Sequence, residues 1–245
     1  MNKFFRFNFI KETAIAFYAG AGMIFLSLLM LLFGGDSFFD KAMSFVLRDL
    51  FMIFGLGVVF VSLYVGGKEE GLKAIGFTGR KTVLSLVLDF VFAAGLLAMF
   101  LKDEKPAEIL EIKNLYAAVY ILVAGIFEMT FIYGYLRASF ENAFGIIPAI
   151  ILTSAFYSFH HAGFQPEFLH LFLVGLMYCA VYYITQNLLI IFPFFWGVGA
   201  LWDVIVSSEA GDEIKNLESF IIVLVILALS AIWIFIIKRR KRDAV

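Results

Sequence analysis

The sequence is poor in cysteine, proline and charge. It has one cysteine and four prolines among 245 residues, and only 16% of its residues are charged, against roughly 25% in soluble domains. The single Cys179 excludes an intramolecular disulfide and a cysteine-based zinc site. A net charge of −1 gives no reason to expect a nucleic-acid partner. The 62% of hydrophobic residues excludes disordered and collagen-like chains.

Apolar runs of membrane-spanning length recur along the whole chain. A transmembrane helix needs about 20 mostly apolar residues, because its backbone must satisfy its own hydrogen bonds in lipid. By this criterion the sequence predicts about eight spans, at roughly 13–34, 44–65, 82–101, 115–137, 144–161, 167–185, 187–206 and 218–237. We therefore expect an all-α polytopic membrane bundle of about eight transmembrane helices, forming a single membrane domain over 1–245.

The distribution of Lys and Arg predicts the orientation in the membrane. These residues concentrate at both ends and in the second loop, and Arg137 follows at the end of the fourth run, so that 13 of the 19 lie on one side when both termini are cytoplasmic. An even number of spans agrees with two basic ends. The short loops suit a prokaryotic cell (inner) membrane, so we expect an integral protein of that membrane with both termini in the cytosol.

Three ionisable residues lie deep inside predicted spans, where a charge costs at least about 2.5–3.5 kcal/mol. Glu128 lies half way along the fourth run, His160 near the end of the fifth, and Asp203 within the seventh. At about 1.5 Å per residue the three reach a similar depth, which favours one site over three separate contacts. A carboxyl group and an imidazole together suit general acid–base catalysis. The alternative is a structural polar contact between helices, which contributes about 0.6–2 kcal/mol.

Four other residues receive structural interpretations. His161 points about 100° away from its neighbour on a helix, so we do not expect both histidines in one site. Gly199 is expected to leave open space on its face of the seventh run. Trp196 is expected to be an anchor at the membrane interface. Asp89, in the third run, is expected to make a structural contact.

Three short patterns resemble the motifs of the CPBP family, the CAAX proteases and bacteriocin-processing enzymes, also called the Abi family. The first family motif is Glu-Glu-x-x-x-Arg. Here Glu128 is its first residue, and Met129 and Tyr133 stand where the second Glu and the Arg are expected. The second motif, Phe-x-x-x-His, is matched by Phe156 to His160.

The third family motif is His-x-x-x-Asn, sometimes with Asp at its end. Here Gly199 stands at its first position and Asp203 at its last. The three patterns fall on the fourth, fifth and seventh runs, as in the family, and define a motif-bearing core at about 115–206.

The resemblance implies a glutamic-type intramembrane endopeptidase, a hydrolase that needs neither a cofactor nor a metal ion. It implies that Glu128 is the general base, that His160 orients the water, and that Asp203 has the oxyanion position. The substrate implied is a peptide or protein delivered within the lipid bilayer. The departures from the motifs favour a second hypothesis, a catalytically impaired membrane scaffold of the same fold that binds and regulates a membrane-protein partner.

Two further interpretations stay open. A zinc site formed by Glu128, His160 and Asp203 is conceivable because oxygen and nitrogen ligands suit zinc, although no His-Glu-x-x-His helix occurs. A transporter could use Glu128, Asp203 or Asp89 as a proton relay, although no inverted repeat is apparent.

Overall fold

The regular structure of the protein is helical. The computed structural model describes residues 3–68, 70–102, 111–163, 167–206 and 214–243, with the backbone alone for 241–243. Within these ranges the elements are helices of the α, 3₁₀ and π types, and no strand occurs. The predicted all-α class is confirmed.

Eight helices account for the predicted apolar runs. They are α1 (Lys11–Phe33), α2 (Phe38–Gly66), α3 (Thr82–Lys102), α4 (Ile112–Phe144), α5 (Ile146–His160), α6 (Phe168–Thr185), α7 (Leu188–Val206) and α8 (Leu217–Asp243). Seven of them, all except α5, are long and apolar enough to cross a membrane. The chain is therefore a polytopic membrane bundle.

The fifth run forms a helix that is shorter than the seven candidate spans. With 15 residues α5 is about 22 Å long, against a hydrocarbon thickness of about 30 Å. Gly145 sets its start with a φ of 90°, and a Cβ atom there would lie 2.8 Å from the carbonyl oxygen of Phe4. The helix packs against α1, α4 and α6, and its last residue, His160, is buried in the bundle.

The helix α4 lies at the centre of the bundle. Half of its most apolar stretch is buried, against 11% in α3 and α8, and it packs against α2, α5, α7 and α8. Its approach to α2 is close because Gly57 faces Phe127, whose Cα atom would lie 2.6 Å from a Cβ at Gly57. Thr130 reinforces this contact by donating a hydrogen bond to the Gly57 carbonyl at 2.7 Å. These contacts fix α4 on both sides of Glu128.

A 3₁₀ turn, His161–Gly163, follows α5 and rests on α1. The Gly163 N–H donates to the Ser27 hydroxyl at 2.9 Å. A Cβ atom at Gly163 would overlap the Ser27 carbonyl, so the turn fits against α1 only with glycine at this position. This contact fixes the end of α5 and the residue that follows it.

Candidate active site

Glu128 lies where α4 changes its helical winding. The α-helix ends at Phe127, and the next residues, Glu128–Leu136, form a π-helical stretch of the kind that is frequent at functional sites. The side chain of Glu128 is 13% exposed. Its Oε2 accepts a hydrogen bond from Trp196 Nε1 on α7 at 2.9 Å. Gly125 makes this possible, because a Cβ atom there would overlap the Trp196 ring.

The position of Trp196 in the seventh run suggested an interfacial anchor, but the structure does not support that interpretation. Trp196 is 3% exposed and lies in the core. The indole can lie in the core because its N–H donates a hydrogen bond to the Glu128 carboxylate. A buried tryptophan usually has a hydrogen-bond acceptor for its N–H.

The two histidines at the end of α5 share one backbone acceptor. His160 Nδ1 lies 2.6 Å from the Tyr157 carbonyl oxygen, and His161 Nδ1 lies 2.9 Å from the same atom. A carbonyl oxygen only accepts hydrogen bonds, so each Nδ1 carries a hydrogen. In the neutral rings each Nε2 therefore presents a lone pair.

Both of these nitrogens face Glu128. His160 Nε2 lies 3.7 Å from Glu128 Oε1, and His161 Nε2 lies 3.8 Å from the same oxygen. The histidines are 2% and 6% exposed, and their ring centroids are 3.8 Å apart. The three ligand atoms lie within 4.8 Å of one another, so these residues, rather than a set with Asp203, have the geometry to hold a metal ion.

The expectation that His161 lies outside the site is wrong. The 100° rotation applies to a continuing α-helix, but α5 ends at His160 and His161 opens the 3₁₀ turn. The last turn is also tightened, since the His161 N–H bonds to the Ser158 and Phe159 carbonyls. Both rings can then turn to the Tyr157 carbonyl and face the same way.

The third motif is closed at its first position. A Cβ atom at Gly199 would lie 2.8 Å from the Tyr178 hydroxyl, so the expected open space is filled by a side chain of α6. Asp203, at its last position, is half-buried on α7. The structure thus brings Glu128 directly to the two histidines.

The two departures in the first motif are buried apolar positions. Met129 and Tyr133 are each 1% exposed. The Tyr133 ring packs against Tyr157 and Tyr178, with centroid distances of 5.5 and 5.7 Å. Packing therefore occupies the place where the family motif has an acid and a base.

Arg137 is a buried cation that the sequence analysis counted among the cytoplasmic charges. It is 2% exposed, forms an ion pair with Glu141 at 2.6 Å, and donates to the Ile75 carbonyl at 3.1 Å. Its guanidinium group also lies 3.9 Å from the centroid of the Tyr182 ring. The available signal was Glu141 four residues later, the spacing at which opposite charges pair on a helix.

Two aspartates in the spans differ in their contacts. Asp49 is fully buried, pairs with Arg48 at 3.3 Å and accepts a hydrogen bond from Tyr120. Asp89 is 6% exposed, and neither of its oxygens has a hydrogen-bond partner among the residues that the structure describes. The structural contact expected for Asp89 is therefore not found in this part of the chain.

One family model matches the part of the chain that carries this site. Residues 111–205 match the family model of the Rce1-like type II CAAX prenyl endopeptidases, a group of the CPBP family. The matched segment contains all three motif regions, and the resemblance to this family is thereby confirmed. No curated protein and no solved structure matches the chain significantly.

Proposed function

We propose that the chain is an intramembrane endopeptidase that hydrolyses a peptide bond in a membrane-delivered peptide or protein. The observation that carries this proposal is the 3.7 Å gap between Glu128 Oε1 and His160 Nε2. The gap is too long for a direct hydrogen bond, but one water molecule can bridge both atoms at ordinary hydrogen-bond distances. The family match supports a peptidase-type fold around this pair.

The two acceptors define how the water is activated. The water donates one hydrogen to Glu128 Oε1 and the other to His160 Nε2, so a lone pair on its oxygen faces the substrate. As the water oxygen bonds to the scissile carbonyl carbon, its proton passes to Glu128. Cleavage of the C–N bond follows when this proton is returned to the leaving nitrogen, which gives a carboxylic acid and an amine. Trp196 holds the second carboxylate oxygen and fixes the orientation of the base.

The oxyanion that forms on the carbonyl oxygen requires hydrogen-bond donors. Asp203 occupies the family's position for this role, but a carboxyl group donates only when it is protonated. The Tyr178 hydroxyl fills the space beside Gly199 and is a donor in its ordinary state. We assign the oxyanion position to Asp203 together with this hydroxyl.

The substrate and the membrane follow from the same proposal. A prenylated tail, a leader peptide or a sorting signal suits a site enclosed by membrane helices. The excess of Lys and Arg at both ends supports cytosolic termini in a prokaryotic inner membrane.

The test compares the termini of membrane proteins in cells that carry wild-type protein or Glu128→Gln at matched expression. We expect one or a few uncleaved precursors in the variant, because an amide cannot take the proton from water. Glu111→Gln is the matched control, since Glu111 lies beside the same helix and forms an exposed ion pair with Lys113. Cleavage that survives Glu128→Gln refutes the mechanism.

A non-catalytic scaffold is the second candidate. Met129 and Tyr133 are buried, and a Cβ atom at Gly199 would lie 2.8 Å from the Tyr178 hydroxyl. Among the described residues, these positions leave no space for the residues that the family motifs have there, which favours the scaffold. A scaffold keeps its cellular function in Glu128→Gln and co-purifies with a membrane-protein partner in stoichiometric amount. Loss of function in Glu128→Gln, with the fold retained, excludes it.

A further inference from the structure

We propose that Glu128, His160 and His161 bind one divalent transition-metal ion, with zinc as the preferred ion, and that occupancy inhibits the endopeptidase. The ligand atoms are Glu128 Oε1 and the Nε2 atoms of the two histidines. The inhibitory part rests on the proposed function, whereas the binding part stands on geometry alone.

The first step is the count of hydrogens and lone pairs. The Tyr157 carbonyl requires a hydrogen on each Nδ1, so both Nε2 atoms present lone pairs toward Glu128. The carboxylate oxygen is a third acceptor at 3.7 and 3.8 Å from them. One water has two hydrogens and can serve two of these acceptors, whereas a cation can serve all three.

The second step is the fit of distances and ligand types. Two imidazole nitrogens and a carboxylate oxygen form a ligand set used by zinc, with bonds of about 2.0–2.2 Å. Tetrahedral ligands at that bond length are about 3.3–3.6 Å apart. The two separations from the carboxylate oxygen, 3.7 and 3.8 Å, exceed this range by only a few tenths of an ångström, and all three ligand atoms lie within 4.8 Å of one another.

The third step is the set of groups that hold the ligands. Metal-binding histidines usually donate their other ring N–H to a carbonyl or carboxylate, and here one carbonyl accepts from both. The second carboxylate oxygen of Glu128, Oε2, accepts a hydrogen bond from Trp196 Nε1 at 2.9 Å. All three ligands are therefore oriented by neighbours within the protein.

Inhibition follows because the metal and the catalytic water need the same lone pairs. The proposed mechanism uses Glu128 Oε1 as the base and His160 Nε2 as the second acceptor. A metal ion bound to both atoms leaves neither available to the water.

The experiment titrates the purified full-length chain in detergent with zinc and with cobalt. We expect one equivalent of either metal to bind, and the cobalt complex to show the visible absorption of a tetrahedral site. His161→Ala is expected to weaken binding by about tenfold or more, since it removes one of three ligands. His170→Ala is the matched control, because His170 is exposed on α6, and its affinity should equal that of the wild type. His161→Gln provides a second variant in case the alanine variant does not fold.

The results that refute the metal site differ from those that refute the proposed function. Substoichiometric binding, or equal affinity in wild type and both His161 variants, refutes the metal site. With a farnesylated CaaX peptide as the probe, zinc should inhibit cleavage and a chelator should reverse the inhibition. Cleavage that requires zinc refutes the inhibitory role. If no probe is cleaved under any condition, the cobalt titration still decides whether the site exists.

Discussion

Removal of the indole donor to Glu128 tests the proposed base directly. Trp196→Phe keeps an aromatic ring beside Gly125 but deletes the Nε1–H that lies 2.9 Å from Glu128 Oε2. A hydrogen bond to a charged group contributes about 1.5–3 kcal/mol. At about 1.4 kcal/mol for each factor of ten, catalysis should fall by about ten- to 150-fold.

The assay is cleavage of a farnesylated CaaX peptide by purified protein in detergent, with kcat and KM measured separately. We expect kcat to fall and KM to change little, because Trp196 contacts the base rather than the substrate. The control is Trp233→Phe, which deletes an indole hydrogen bond of 2.8 Å to Ser62. An equal loss in both variants, or an unchanged kcat in Trp196→Phe, would show that this bond does not orient the base.

Two other substitutions test the surroundings of the site. Arg137→Met should lower the free energy of unfolding by about 1–3 kcal/mol, because it removes the buried donors to the Tyr133 and Ile75 carbonyls. Thermal unfolding in detergent measures this, and the exposed Arg80→Met should change it little. Gly163→Ala should reduce cleavage by about 10²-fold, because a shift of about 1 Å in the turn after α5 displaces the histidines. Gly22→Ala, where a Cβ meets nothing within 4 Å, should keep wild-type activity.

The overall class and the resemblance to the CPBP family over 111–205 could be predicted from the sequence. Apolar runs of sufficient length determine a helical membrane bundle, because lipid leaves few alternatives for the backbone. The pairing of Glu128 with His160 agrees with the geometry because both lie on long apolar runs whose depth can be counted from their ends. The catalytic roles of Glu128, His160 and Asp203 stay a prediction.

The errors concern groups whose partners come from distant parts of the chain. His161 was misplaced because helical rotation does not indicate where a helix ends. Trp196 was assigned to the interface because its carboxylate partner and the glycine that admits its ring are both on α4. Arg137 was counted as a loop charge because its acceptor at Ile75 is 62 residues away. The contacts with Glu128 and with Ile75 have no local pattern that would indicate them, and only the spacing of Glu141 pointed to the pairing of Arg137.

The buried pair Met129 and Tyr133 determines how the family motif can be restored. The family has an acid and a base at these positions, four residues apart, which is the spacing of an ion pair on a helix. Exchange of a whole buried ion pair for apolar side chains is often neutral or stabilising, whereas one unpaired buried charge costs about 3–5 kcal/mol. Tyr133→Arg alone therefore destabilises the protein, and Met129→Glu alone does the same. The two positions therefore form a single unit of sequence change, and a variant that carries the full first motif needs both substitutions together.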